Sequence, residues 1–226
     1  SRQSEAGMHA TRLLQGSSGW GAGSSLGSDV TVGSVVSCVL RNSYEWAGVC
    51  YHDNIEFIEA DLTLEGGAIT YDDHGNLFTT ESVLLNSNRK NASKNDINKT
   101  LTDLFDLKNI VWLPGGLEED DTDGHIDNIF APIGDNKYLI ACSDLDDRRN
   151  YSILQKNKEV LEQFFLLKNI NAEIIQVPLP SEIIVENKRL VASYINFYFS
   201  KNSIFLPKFN VKEDELVYDI FKSLYK

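Results

Sequence analysis

The stretch Ala68-Ile69-Thr70-Tyr71-Asp72-Asp73-His74-Gly75-Asn76-Leu77-Phe78-Thr79-Thr80 decides the fold class. Two β-prone runs, Ala68 to Tyr71 and Leu77 to Thr80, flank a polar segment whose Gly75 and Asn76 suit a turn, so the stretch predicts a β-hairpin. Downstream, Ser93 offers a helix N-cap with Asp96 three residues on, and Ile97, Leu101, Leu104 and Phe105 form an apolar stripe reaching Leu107. Ile110-Val111-Trp112-Leu113 then reads as a short buried strand. Strand, strand, helix, strand is an α/β order.

The order returns. Ile129 to Ile133 and Tyr138 to Cys142 can pair, Tyr151 to Lys168 carries Leu154, Leu161, Phe164 and Phe165 at helical spacing, and Glu173 to Val177 is strand-like. Tyr194 to Phe199 and Ile204 to Pro207 predict another hairpin around Lys201-Asn202, followed by a helix carrying Leu216, Ile220 and Leu224. Helices beginning near residues 93, 151 and 213 recur about every 60 residues, which marks a repeated strand-strand-helix-strand unit. No strand follows the third helix before Lys226, so the chain reads as cut short and an incomplete core is expected. Residues 1–54 differ: Ser and Gly dominate from Gly16 to Ser37, and Val35 to Leu40 is the one compact apolar run. They read as an irregular leader or linker.

Composition bounds the rest. With 226 residues and 42% hydrophobic content the chain can bury one good core or two small ones. A formal charge of −12 argues against nucleic acid and anionic membrane surfaces; it favours cationic ligands, or serves solubility alone. Cys38, Cys50 and Cys142 form no CxxC pair, which suits a reducing compartment, with the cytosol as default. No run approaches the ~18 apolar residues of a membrane span, and the N-terminus lacks the apolar core of a signal peptide.

The functional anchor is Trp112-Leu113-Pro114-Gly115-Gly116-Leu117-Glu118-Glu119-Asp120-Asp121-Thr122-Asp123-Gly124-His125-Ile126-Asp127-Asn128, which carries six acidic residues and a His and Asp two apart. So many carboxylates repel one another unless a cation or cationic substrate sits among them. Each residue also has an ordinary reading. His125 after Gly124 suits a turn, Glu65 before Gly66-Gly67 suits a surface, Glu118 to Asp121 suits a solvated loop, and Trp112, Phe197 and Tyr198 suit core packing. Glu119, Asp121, Asp123 and Gly124 match the start of an EF-hand loop, but Phe130 stands where the bidentate Glu is required.

Taken together, Leu64-Glu65-Gly66-Gly67, Thr79-Thr80-Glu81, Leu85-Asn86-Ser87-Asn88-Arg89, Trp112 to Gly116, Asp121 to Asn128 and Ser193-Tyr194-Ile195-Asn196-Phe197-Tyr198 resemble, in order, the agmatine deiminase and bacterial-type peptidylarginine deiminase family. The agmatine branch is the nearer. The resemblance implies a pentein-type α/β propeller of five ββαβ repeats, of which this chain holds about three. Residues 55–226 are then a partial deiminase domain, and residues 1–54 lie outside it. It further implies hydrolysis of agmatine to N-carbamoylputrescine and ammonia, on the way to putrescine, with no metal or organic cofactor. The partner is a small guanidinium molecule. A Cys thiolate attacks the guanidinium carbon, ammonia leaves with a proton from His, and water hydrolyses the intermediate. By the match, Asp127 holds the planar cation through charge-assisted hydrogen bonds. His125 is general acid and base, its pKa expected to be raised by nearby carboxylates, and Glu65 orients it. Asp123, Asn196 and Trp112 are further pocket candidates.

The sequence departs from that pattern at two places. The family's nucleophile lies in a C-terminal Gly-Gly-x-x-His-Cys context with no match here, and an N-terminal Arg-Asp-x-Gly-Pro segment is also missing. Cys142, after Leu139-Ile140-Ala141, reads as a buried small hydrophobe. The expectation is an inactive chain of deiminase type. The alternatives are a peptidylarginine deiminase, or a non-catalytic relative that binds guanidinium ligands or a partner protein.

Overall fold

The computed structural model describes residues 60, 62–89, 91, 93–200 and 203–225. The reading of residues 1–54 as a leader, and the turn residues Lys201 and Asn202, lie outside these residues. The first unit is built as the pattern predicts. Strands β1 (Ile69–Tyr71) and β2 (Asn76–Thr80) pair antiparallel, with Ile69 opposite Thr79. Asp72 makes the turn: its Oδ1 accepts from the backbone N–H of His74 and Asn76, both at 2.9 Å, and Gly75 supplies a φ of +83°. A single-turn helix α1 (Glu81–Leu84) is capped by Thr80. Helix α2 (Lys94–Phe105) then opens on the anticipated capping box, Ser93 accepting from the Asp96 N–H while Asp96 accepts from the Ser93 N–H. It buries Ile97, Leu101 and Phe105 and ends at Asp106, whose φ of 49° is left-handed. Strand β3 (Asn109–Leu113) returns parallel to β2, giving the order β1-β2-β3. As the central strand, β2 is covered on both faces and all five of its residues are buried.

The second unit repeats the arrangement. Strands β4 (Phe130–Gly134) and β5 (Lys137–Cys142) pair antiparallel across Asp135-Asn136, and β6 (Glu173–Pro178) runs parallel to β5 after helix α3 (Arg148–Leu167). Positive φ at both turn residues, 51° and 58°, matches the twist that a two-residue hairpin requires. A third hairpin, β7 (Ile184–Val185) with β8 (Lys188–Arg189), turns through Glu186 and Asn187 in the same left-handed conformation and was not anticipated.

The third unit begins with β9 (Tyr198–Ser200) antiparallel to β10 (Ser203–Phe205), followed by α4 (Glu213–Leu224). Its first strand is shorter than predicted. Residues 194–196 form bends instead, because the Ser193 hydroxyl accepts from the Ile195 N–H at 3.0 Å and donates to the Asn128 carbonyl at 2.6 Å. The stripe on α4 is also corrected. Val217 and Phe221 are its buried residues, whereas the predicted Leu216 is 56% exposed. Among the described residues the sheets are separate and open, and no helix is long and apolar enough to cross a membrane.

Two apolar clusters meet along β2 and β3. Leu77, Ile97, Leu101 and Phe105 fill one under α2; Phe78, Val111 and Leu113 project into the other, with Phe130, Tyr138, Leu161 and Phe165. Alternation along the strands explains the division, since successive side chains point to opposite faces. The Phe78 and Phe130 rings lie 4.7 Å apart, and the buried Tyr138 hydroxyl donates to Asp72 at 3.0 Å, so the second sheet is tied to the first unit's turn.

Polar residues of α3 fix the loop that leaves β3. Asn157, wholly buried, donates from Nδ2 to the Gly115 carbonyl at 2.7 Å, and its Oδ1 accepts from the Gly115 N–H at 3.4 Å. One helical stretch earlier, Asn150 Oδ1 accepts from the Glu118 N–H at 2.9 Å. Replacing Asn157 leaves both buried backbone groups of Gly115 without partners, so N157A is expected to lower stability by about 2 kcal/mol. A urea midpoint read by circular dichroism measures it, and a loss under about 0.5 kcal/mol would contradict the clamp.

Candidate functional site

The acid-rich loop is positioned by close backbone crossings. A Cβ on Gly116 would collide with the Gly124 backbone, and one on Gly124 would lie 2.5 Å from Ser82 Oγ, while Gly124 itself has φ +95°. Thr80 Oγ1 donates to the Gly124 carbonyl at 2.7 Å, so the end of β2 holds the loop just before His125. Asp120 organises the remainder. Its Oδ1 accepts from the Thr122 N–H at 2.9 Å, and its Oδ2 from the His125 N–H at 3.2 Å and Asn128 Nδ2 at 3.4 Å. The run from Glu118 to Asp121 is therefore only partly a solvated loop: Glu118, Glu119 and Asp121 are exposed or nearly so, but Asp120 is built in.

His125 and Asp127 converge on Gly67. A Cβ there would lie 2.5 Å from His125 Nδ1 and collide with Asp127 Oδ2, so Gly67 is the residue that lets both groups close over the backbone. His125 Nε2 and Asp127 Oδ1 are both buried without a hydrogen-bond partner. Such orphans are costly inside a protein and concentrate where a ligand completes the set.

Burial dominates the electrostatics of this pair. The Asp127 carboxyl is pushed up to about 7, first by loss of solvent and then by the charge of Asp120, while backbone N–H groups of Asn128 and Asp127 pull weakly the other way. For His125 the expected upward shift is overturned. Its pKa is lowered, because desolvation outweighs the raising influence of Glu65, Asp120 and Asp123, and Arg89 adds to the lowering. The imidazole is thus neutral at neutral pH.

Glu65, expected to orient His125, stands beside the pair without a hydrogen bond to it. Its Oε2 is 4.0 Å from His125 Nε2 and accepts instead from Arg89 Nε at 3.0 Å. Asp123, proposed to bind substrate, is likewise engaged: Arg89 reaches its Oδ2 at 2.5 Å and Asn88 at 2.6 Å, and the Arg89 pairing holds its carboxyl below the usual range. Asn196 is exposed and donates to Asn128 Oδ1 at 3.4 Å, which brings it to the 125–128 turn. Trp112 is placed elsewhere. Its Nε1 donates to Asn98 at 2.8 Å and Lys94 Nζ lies 4.7 Å above its ring, so α2 takes up the indole.

Arg89 and Asp120 carry structural roles that sequence reasoning left unassigned. The Asp120-Asp121-Thr122 order is a turn signal that could have marked the second. Cys142, the one free cysteine among the described residues, is half-buried at the end of β5, and burial followed by the Asp144 charge raises its thiol. That thiol does not ionise readily. A recess of about 500 Å³ lies apart, and of the cations that line it Arg149, Arg189 and Lys212 are paired with Glu118, Asp147 and Glu213. The described residues contain no cluster of three His, Cys, Asp or Glu suited to a metal ion.

The Asp127 shift has a signed consequence. Its folded pKa lies above the unfolded value, so it costs stability as pH rises from about 4 to about 7, on the order of 4 kcal/mol when complete. His125, shifted down, works oppositely and adds stability as pH rises toward its unfolded value. The stability of D127N relative to the parent should therefore increase across that window and level off above it. Denaturant melts between pH 4 and 8 measure the difference, and a flat difference would contradict a buried, protonated Asp127.

Comparison with known proteins bears on this arrangement. The profile of the Porphyromonas-type peptidyl-arginine deiminase family matches residues 18–226, beginning inside the segment read as lying outside the domain. A candidate agmatine deiminase of Legionella pneumophila is 32% identical over 195 residues, 85% of this chain and 56% of that protein. Another from Marinomonas sp. is 35% identical over 186 residues, 74% of this chain and 50% of that one. A structure of C. jejuni agmatine deiminase, a Cys-to-Ser variant with substrate bound, superposes with a TM-score of 0.67 at 33% identity, covering 75% of this chain and 50% of that chain. The chain spans about half the length of the curated relatives it matches. With the profile covering nearly all of its length, the chain belongs to the Porphyromonas-type peptidyl-arginine deiminase family.

Proposed function

We propose that residues 62–225 form the His125–Asp127 side of a guanidinium pocket in an agmatine deiminase-like hydrolase, arranged as part of a pentein-type propeller. The observation that carries this reading is the orphaned pair, Asp127 Oδ1 and His125 Nε2, closed together over Gly67. A guanidinium is planar and permanently charged, and offers parallel N–H donors that a carboxylate can accept side by side. Its arrival turns the cost of burying Asp127 into an ion pair.

In the reaction proposed, a thiolate attacks the guanidinium carbon of agmatine, ammonia departs with a proton, and water releases N-carbamoylputrescine, a precursor of putrescine. Asp127 holds the cation ionised. His125, neutral before binding, takes the proton that the attacking thiol loses, passes it to the leaving ammonia, and accepts one from the incoming water. The nucleophile is not assigned to Cys142, whose thiol is raised and which ends a sheet-paired strand. With no nucleophile assigned among the described residues, this 226-residue chain is proposed to bind without turning over. The cytosol, where agmatine would be met, fits the sparse cysteines. Peptide-linked arginine is the second reading, favoured by the family to which the profile belongs.

Binding should release a proton. At pH 6, with Asp127 titrating near about 7, agmatine binding is expected to expel close to one proton, seen as a dependence of calorimetric heat on buffer ionisation enthalpy. D127N should abolish both heat and proton release, and an arginine-containing peptide binding more tightly than agmatine would select the second reading. Absence of any heat with either ligand would remove the support for a guanidinium pocket, and ammonia formation at rates typical of enzymes would overturn the inactivity.

A further inference from the structure

Arg89 is only 6% exposed, and four hydrogen bonds engage all three nitrogens of its guanidinium. Nε donates to Glu65 at 3.0 Å, one terminal nitrogen reaches Asp123 at 2.5 Å and Asn88 Oδ1 at 2.8 Å, and the other donates to the Thr122 carbonyl at 2.9 Å. Those partners come from three places: the Leu64-Glu65-Gly66-Gly67 segment, the turn Ser87–Arg89 itself, and the acid-rich loop. The loop contacts, to Asp123 and Thr122, fall two and three residues before His125. A lysine offers a point charge in place of this planar fork, so it could not serve all four acceptors.

We propose that Arg89 is a positioning residue whose built-in guanidinium engages Glu65 and Asp123, keeps them from His125 and from an incoming cation, and leaves Asp127 as the carboxylate that faces the ligand. The arithmetic of charge supports the division. Glu65, Asp120, Asp123 and Asp127 surround one imidazole, and without Arg89 three of them would compete for any cation that entered, while His125 would lose one of the influences that lower its pKa. With Arg89 in place, Glu65 stops 4.0 Å from His125 Nε2, and Asp120 is turned to backbone N–H groups of its own loop. An internal guanidinium thus makes a site for one external guanidinium selective in its acids. The last step rests on the reading of Asp127 as the ligand carboxylate; the pairing of Arg89 and its effect on His125 do not.

The test is an NMR titration of the His125 imidazole in the 226-residue chain without ligand, so that it stands apart from binding or turnover. R89A should raise the His125 midpoint by about one pH unit, because Glu65 and Asp123 are freed to face it, and R89K should fall between R89A and the parent. In the parent chain the Arg89 Nε–H should exchange with water far more slowly than that of an exposed arginine, and E65Q should accelerate it. A midpoint in folded R89A within about 0.2 units of the parent would overturn the proposal. Should R89A not fold, fast Nε–H exchange in the parent would overturn it equally.

Discussion

A carboxyl group buried without a cation is costly, and Asp127 is held in that state by the backbone around it. Gly67 admits its Oδ2, the turn at Ile126–Asn128 fixes its direction, and the Gly116–Gly124 crossing fixes where that turn begins. Nothing in the apolar core needs a carboxylate there. The neighbouring architecture instead confines it: Thr80 at the end of β2 seats Gly124, Ser82 in α1 seats Gly116, and α3 seats Gly115 through Asn157. Two core clusters divided along β2 and β3 make that frame stiff, so the position of Asp127 is inherited from the packing of two ββαβ units.

Charge around the site is sorted rather than pooled. Asp120 is satisfied by its own loop, Asp123 and Glu65 by Arg89, and Asp127 keeps one buried oxygen, Oδ1, without a partner. This sorting explains how a chain with a formal charge of −12 can fold an acid-rich loop against its own core. It also distinguishes Asp127 from its neighbours by environment, since sequence spacing treats all of these acids alike.

Local features were legible in the sequence and tertiary ones were not. The Asp72–Asn76 hairpin and the Ser93–Asp96 capping box each depend on residues within five positions of one another, so pattern reading reached them. The repeated unit was legible because its period survives local irregularity. On α4 two stripes share Leu224, and only packing against Val217 and Phe221 decides between them. Arg89, Asn150 and Asn157 could not be assigned because their partners lie tens of residues away. His125 and Asp127 were found by motif, yet the direction of the His125 shift was not. Carboxylates nearby in sequence suggested a raised value, whereas burial, visible only in three dimensions, prevails. Trp112 illustrates the same limit, as an aromatic residue on a strand whose face is set by α2.

The central claim is that Asp127 is a buried carboxyl waiting for a guanidinium. Its 13Cγ resonance, followed against pH with and without guanidinium ion, tests this directly. The account predicts a midpoint near about 7 in the free chain and a fall of more than about one unit when guanidinium is bound. A midpoint in the ordinary carboxylate range, or one that guanidinium leaves unmoved, would contradict it.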